Sequence, residues 1–119
     1  MRPFPAALAV AAVALAACSP GPVRTDRVRI FDLPGKPQAQ WGYDPPRIEV
    51  AASTTVTFMN GGTVLHTVTS EDPTRAFDVG ANAGEQVTVR FDKAGTWRYH
   101  CGIHPDMKGV VQVCDGACR

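Results

Sequence analysis

Thr96-Trp97-Arg98-Tyr99-His100-Cys101-Gly102-Ile103-His104-Pro105-Asp106-Met107 is the stretch on which both the fold and the chemistry turn. Its first half alternates. Trp97, Tyr99 and Cys101 share one face of an extended segment, and Arg98 and His100 take the other, which is the period of a half-buried strand. After Cys101 the alternation stops. Two residues separate Cys101 from His104, and two more separate His104 from Met107. One tight loop, stiffened by Pro105, therefore presents a thiolate, an imidazole and a thioether. Gly109-Val-Val-Gln-Val-Cys114 then reads as a returning strand.

Working outward, the same period of two recurs. Val28-Arg-Ile-Phe31, Arg47-Ile-Glu-Val50 and Thr54-Thr-Val-Thr-Phe-Met59 read as strands, the last with Val56 and Phe58 on one face. Residues 63–69 are β-branched and carry His66. Glu85 to Phe91 turns Val87, Val89 and Phe91 inward. Between these lie turn signals: Pro34, Gly35 and Pro37 in the loop 32–40, Asn60-Gly-Gly62, and Asp92-Lys-Ala-Gly95. Tyr43-Asp-Pro-Pro46 is extended or turned, since proline restricts its predecessor. Residues 71–84 contain Pro, Gly and Asn and are expected to hold a turn or a short helix. No amphipathic helix of useful length is present. Short strands at regular spacing predict an all-β sandwich of about seven to eight strands.

The 119 residues do not begin as a domain. Arg2 precedes a short apolar run ending in Leu15-Ala-Ala-Cys18, too short to span a bilayer and read as a secretory signal. Its ending resembles the bacterial lipobox, with Cys18 as the lipidated first residue of the mature chain; cleavage after a small residue is the plainer reading. The expected division is a signal peptide at 1–17, a lipidated Cys and flexible tether at 18–26, and a domain at 27–119. Export to the cell envelope or periplasm, with a lipid anchor in a membrane, follows from that reading.

Charge narrows the function. Without Arg2, the remaining basic and acidic side chains balance at eleven each. That leaves no basic field for nucleic acid. Exported chains permit disulfides. With Cys18 assigned to lipid and Cys101 to metal, Cys114 and Cys118 are left to bridge across Asp-Gly-Ala. Free thiols or a second metal site are the alternatives.

Taken singly, His66 is a strand histidine, Met107 core filler and Cys101 a buried thiol. Taken together, two imidazoles, a thiolate and a weak thioether are the donor set of a mononuclear copper electron-transfer centre. Zinc accepts Cys and His but rarely Met. The ligand loop has one cysteine where a binuclear centre needs two, and three histidines in all leave no second copper site. His100 points opposite Cys101 and Met59 opposite Phe58, so neither receives a metal role. No nucleophile triad, phosphate loop or carboxylate pair suggests an enzyme. A one-electron carrier between protein redox partners is the leading expectation, acting as a monomer; copper capture or delivery is the alternative.

The run Ala94 to Gly109 also resembles the ligand loop of the cupredoxins, the blue copper proteins, and among them the amicyanin-like members with their short His-Pro-x-Met spacing. Tyr43 to Val68 resembles the run leading to that family's first histidine ligand. The resemblance implies an eight-stranded Greek-key sandwich and one type 1 copper. It implies His66, Cys101 and His104 as equatorial ligands, Met107 as axial ligand, and the His104 ring edge as the electron port. Thr67 and Gly102 depart from the family's usual Asn and Thr or Ser, so the side-chain link across the site cannot form in its usual way. The Thr67 N–H remains free to donate to the Cys101 sulfur. Ile103 stands where Pro is common, and its extra N–H is expected to reach the sulfur and raise the reduction potential. Ser53 replaces a usual turn glycine. Asp106 is a turn residue beside the port, with partner steering as its alternative.

Overall fold

The computed structural model describes Pro3 and residues 21–119. Apart from Pro3, the expected signal peptide lies outside these residues, as does Cys18, the expected site of lipidation. Among those described, no helix is long and apolar enough to cross a membrane.

Among the described residues there are ten strands: β1 Val23–Arg24, β2 Arg27–Phe31, β3 Gly42–Asp44, β4 Arg47–Ala51, β5 Thr54–Asn60, β6 His66–Ser70, β7 Asp78–Ala81, β8 Gln86–Phe91, β9 Gly95–His100 and β10 Lys108–Cys114. One short 3₁₀ turn, Gln38–Gln40, is the helical content of the described residues. The strands form two sheets. The larger has the order β1-β4-β10-β9-β6-β7 and the smaller β3-β2-β5-β8. Both mix directions, with β4 parallel to β1 and β10, and β2 parallel to β5.

The alternating residues meet between the sheets. Val28, Ile30, Val56 and Phe58 from the small sheet face Ile48, Val68, Tyr99 and Val111 from the large one, all 2% exposed or less. Each such apolar side chain contributes roughly 1.5–3 kcal/mol by leaving water. The aromatic rings meet edge to face around Tyr99, with Tyr43 at 4.7 Å and Phe58 at 5.5 Å between centroids.

Three sequence expectations change. The count is ten strands rather than seven to eight. The extra β7 lies in the stretch read as turn or short helix, where it pairs antiparallel with β6 and places Ala81 opposite His66. Punctuation by Pro73, Gly80 and Asn82 hid it. The tether expected at 18–26 gives way to sheet by residue 23. Val23 and Arg24 pair with Ile48 and Glu49, Arg24 Nε lies 3.1 Å from Glu49 Oε1, and the Asp26 carbonyl accepts the Thr57 N–H. An edge strand needs backbone partners more than apolar side chains, so a polar composition did not exclude it.

Candidate metal centre

His66 opens β6, whose other neighbour β9 runs directly into Cys101, so adjacent strands of the large sheet bring these two side chains together. The loop beyond Cys101 closes on itself. The Met107 N–H donates to the His104 carbonyl at 3.0 Å, and the Cys101 N–H donates to the Met107 carbonyl at 3.1 Å. That double closure turns the His104 ring back toward the sulfur. Cys101 Sγ lies 3.6 Å from His104 Nδ1 and 3.9 Å from His66 Nδ1. One donor atom from each of the three residues falls within 4.8 Å of the others. Met107 is fully buried on the same loop. Two Nδ1 atoms and a sulfur converging at this spacing can hold one small ion.

Burial is graded. His66 and Cys101 are inaccessible, whereas His104 is half-buried. Trp41 packs edge to face against it, with ring centroids 5.1 Å apart, and its centroid lies 6.1 Å from that of His66. Burial, reinforced by the nearby His66 and opposed by Asp32, holds the His104 imidazole below its usual range, which favours the neutral, ligating form.

The Cys101 sulfur receives the Thr67 N–H at 3.3 Å. Among the described residues that is its one backbone N–H donor. The second bond expected from Ile103 is not formed; Ile103 is instead 49% exposed on the outer side of the loop. The side-chain link that Gly102 forfeits is replaced by a backbone one. The Gly102 N–H donates to Thr67 Oγ1 at 2.7 Å. Thr67 Oγ1 in turn meets Thr69 Oγ1 at 2.8 Å, which donates to Asp78 on β7. A hydroxyl at position 67 thus ties the ligand loop to the sheet edge without a partner side chain at 102.

His100 is turned away from the ligands, with Nδ1 3.4 Å from Glu71 Oε1, and Met59 is exposed. Asp106 is likewise exposed. Cys114 and Cys118 form a disulfide with Cα atoms 5.3 Å apart. Glu49 lies beside them, but the joined sulfurs are not free to ligate.

Asp32 is the residue that sequence reasoning missed. Its carboxylate Oδ2 lies 2.8 Å from His66 Nε2, and neither side chain is exposed at all. A signal was there to read. Val28, Ile30 and Asp32 continue one alternation, which carries a carboxylate onto the buried face at the exit of β2. The turn residues Pro34 and Gly35 drew the eye to a loop instead.

A family model described as Cupredoxin-like domain matches residues 7–113. Pseudoazurin of Methylorubrum extorquens is 27% identical over 118 residues, covering 98% of this chain and 80% of that protein. Amicyanin-alpha of the same organism is 31% identical over 114 residues, covering 92% and 89%. Among solved structures, a purple cupredoxin from Nitrosopumilus maritimus superposes with a TM-score of 0.64 at 28% identity, over 74% of this chain and 98% of that one. An amicyanin mutant solved with Cu(I) superposes at 0.58 and 23% identity, over 77% and 86%, and so shares the fold.

Proposed function

This chain belongs to the cupredoxin-like family, and from that premise we propose that it is a one-electron carrier holding a single copper ion at His66, Cys101, His104 and Met107. The observation that carries the reading is the convergence of two imidazole Nδ1 atoms and one thiolate sulfur within 4.8 Å. Copper supplies the electron couple when bound, alternating between Cu(II) and Cu(I). The chain does the rest. Imidazole nitrogen and thiolate sulfur suit both states moderately, and a buried, hydrogen-bonded set resists rearrangement when the charge changes. The Thr67 N–H withdraws density from the Cys101 sulfur, and Met107 supplies a weak donor of the kind that tunes potential.

His104 is the route for the electron. It alone of the three close ligands reaches the rim, flanked in sequence by the exposed Ile103 and Pro105. Exposed Val64 and Leu65 precede His66 and add apolar surface at the start of β6. A small apolar rim suits brief contact with protein redox partners. The protein performs electron transfer rather than bond-making chemistry, and nothing in the centre is arranged as acid, base or nucleophile. The Leu15-Ala-Ala-Cys18 ending supports lipid attachment at Cys18, which would hold a monomeric carrier on a membrane of the cell envelope. Copper capture or delivery is less well served, because both His66 and Cys101 are fully enclosed.

Loading the purified mature chain with Cu(II) tests the reading. An intense visible charge-transfer band is expected, bleached by reductant, absent in Cys101→Ser, and lost only slowly to a chelator. A colourless copper complex, or a band that survives Cys101→Ser, refutes it.

A further inference from the structure

The Asp32 carboxylate is unusually well kept. A fully buried carboxylate is rare in proteins unless paired. This one accepts the Thr63 N–H at 2.8 Å and the Thr63 hydroxyl at 2.8 Å, the Val64 N–H at 3.3 Å, and faces His66 Nε2 at 2.8 Å. Space for it is also built into the backbone. A Cβ at position 62 would collide with the Asp32 carboxylate and come within 3.2 Å of Asn60 Oδ1. Gly62 therefore answers to the carboxylate, and its N–H is held at 2.9 Å by Asn60 Oδ1. Among the described residues no Lys or Arg pairs with Asp32. Its charge is left to act on His66.

Resting on the copper reading above, we propose that Asp32 is a positioning residue for the centre: it takes the Nε2 proton of His66 in a hydrogen bond, aims Nδ1 at the ligand cluster, and lays a buried negative charge beside the metal that holds the reduction potential down. The geometry fixes each part. Nε2 faces an acceptor with no hydrogen to give, so Nε2 carries the proton and Nδ1 keeps its lone pair, directed to the Cys101 side. A carboxylate behind the imidazole strengthens its donation. An unneutralised negative charge also favours the more positive oxidation state. Reduction adds one electron, delivered by a reduced protein partner. The proton stays on His66 Nε2 in both states, so no proton accompanies the electron. The two sheets have different parts: His66 and the ligand loop belong to the large sheet, whereas Asp32 leaves β2 of the small one. The bond thus clasps the sandwich across its mouth.

Redox titration of copper-loaded wild type and Asp32→Asn tests this. Asparagine keeps the shape and an acceptor but removes the charge. Asp32→Asn should stay blue, and its preference for Cu(II) over Cu(I) should fall about tenfold, which reads as a midpoint raised by about 59 mV for a one-electron couple. A blue variant with an unmoved midpoint would mean that Asp32 merely braces the Thr63 loop, and the inference fails alone. A colourless wild type removes the copper reading and the inference together. Nitrogen-correlated NMR of the Cu(I)-loaded wild type decides the matter should the variant not fold. A slowly exchanging proton on His66 Nε2 is expected; a proton on Nδ1 instead overturns the proposal.

Discussion

The ring of Tyr99 lies directly across Gly109, its partner in the β9–β10 pairing. Both are buried, and a Cβ at position 109 would drive into the ring and its hydroxyl. Tyr99 sits two residues before Cys101 and Gly109 two after Met107, so this contact sets how closely the two arms of the ligand loop approach. Gly109→Ala is expected to destabilise the fold by about 1–3 kcal/mol through overpacking, measured by urea unfolding. The Tyr99 hydroxyl has no protein partner among the described residues. Tyr99→Phe removes a buried polar group without a contact to lose, so its unfolding midpoint should equal or exceed that of the wild type. A clear loss would show that the hydroxyl is bonded.

Ile103 offers a sharper test of the sulfur's surroundings. The expectation that its N–H reaches Cys101 gave this position a role in the potential. Since the N–H makes no such bond, Ile103→Pro should leave the midpoint of the copper-loaded protein where it is. Thr67 is the residue with the sulfur bond, through backbone that a side-chain change cannot delete. Thr67→Val should instead strand the Gly102 N–H, lower stability by about 1–2 kcal/mol and speed amide exchange at Gly102.

Ser53 has φ +69°, in the left-handed region that side chains disfavour. It forms the corner between β4 and β5, where its N–H donates to the Phe91 carbonyl at 2.7 Å. Ser53→Gly keeps that bond and relieves the strain. A gain of about 1 kcal/mol is expected, read as a raised melting temperature; a loss would place the strain elsewhere.

Asp72 organises the loop between β6 and β7. Its carboxylate accepts the Thr74 hydroxyl, the Thr74 N–H at 3.0 Å and the Ala76 N–H at 3.2 Å. The Thr74 hydroxyl bond above all lowers its pKa below the ordinary 3.8. A depressed carboxylate stabilises the folded loop fully above 3.8 and loses that contribution as pH falls through the folded value. Amide shifts of Thr74 and Ala76 should therefore titrate together, with a midpoint under 3.8. A midpoint at or above it would break the link.

Period-two patterning reaches most of this molecule because a sandwich buries one side of each strand. It marked β2, β4, β5, β8, β9 and β10, and the spacing from Cys101 to Met107 marked the loop. It did not reach β1 or β7, two short strands at the sheet's two edges, whose pairing is backbone to backbone and leaves little trace in side chains. It reached Asp32 only in part: the alternation was legible, but a carboxylate on an apolar face makes sense only once the imidazole opposite it is known, and that contact spans 34 positions. The exchange of a side-chain link for a Gly102 N–H was hidden for the same reason. Which acceptor serves a loop amide is settled by packing, not by the identity of the residue that donates.

The clasp between Asp32 and His66 has one more consequence. The four strands of the small sheet supply no ligand at all, yet they carry the anchor that orients one. Substitutions at Val28, Ile30 or Phe58 would therefore be heard at a distance, as a change of colour or midpoint in a centre to which those residues give no ligand. The visible spectrum would serve as a strain gauge for the half of the protein that holds no metal.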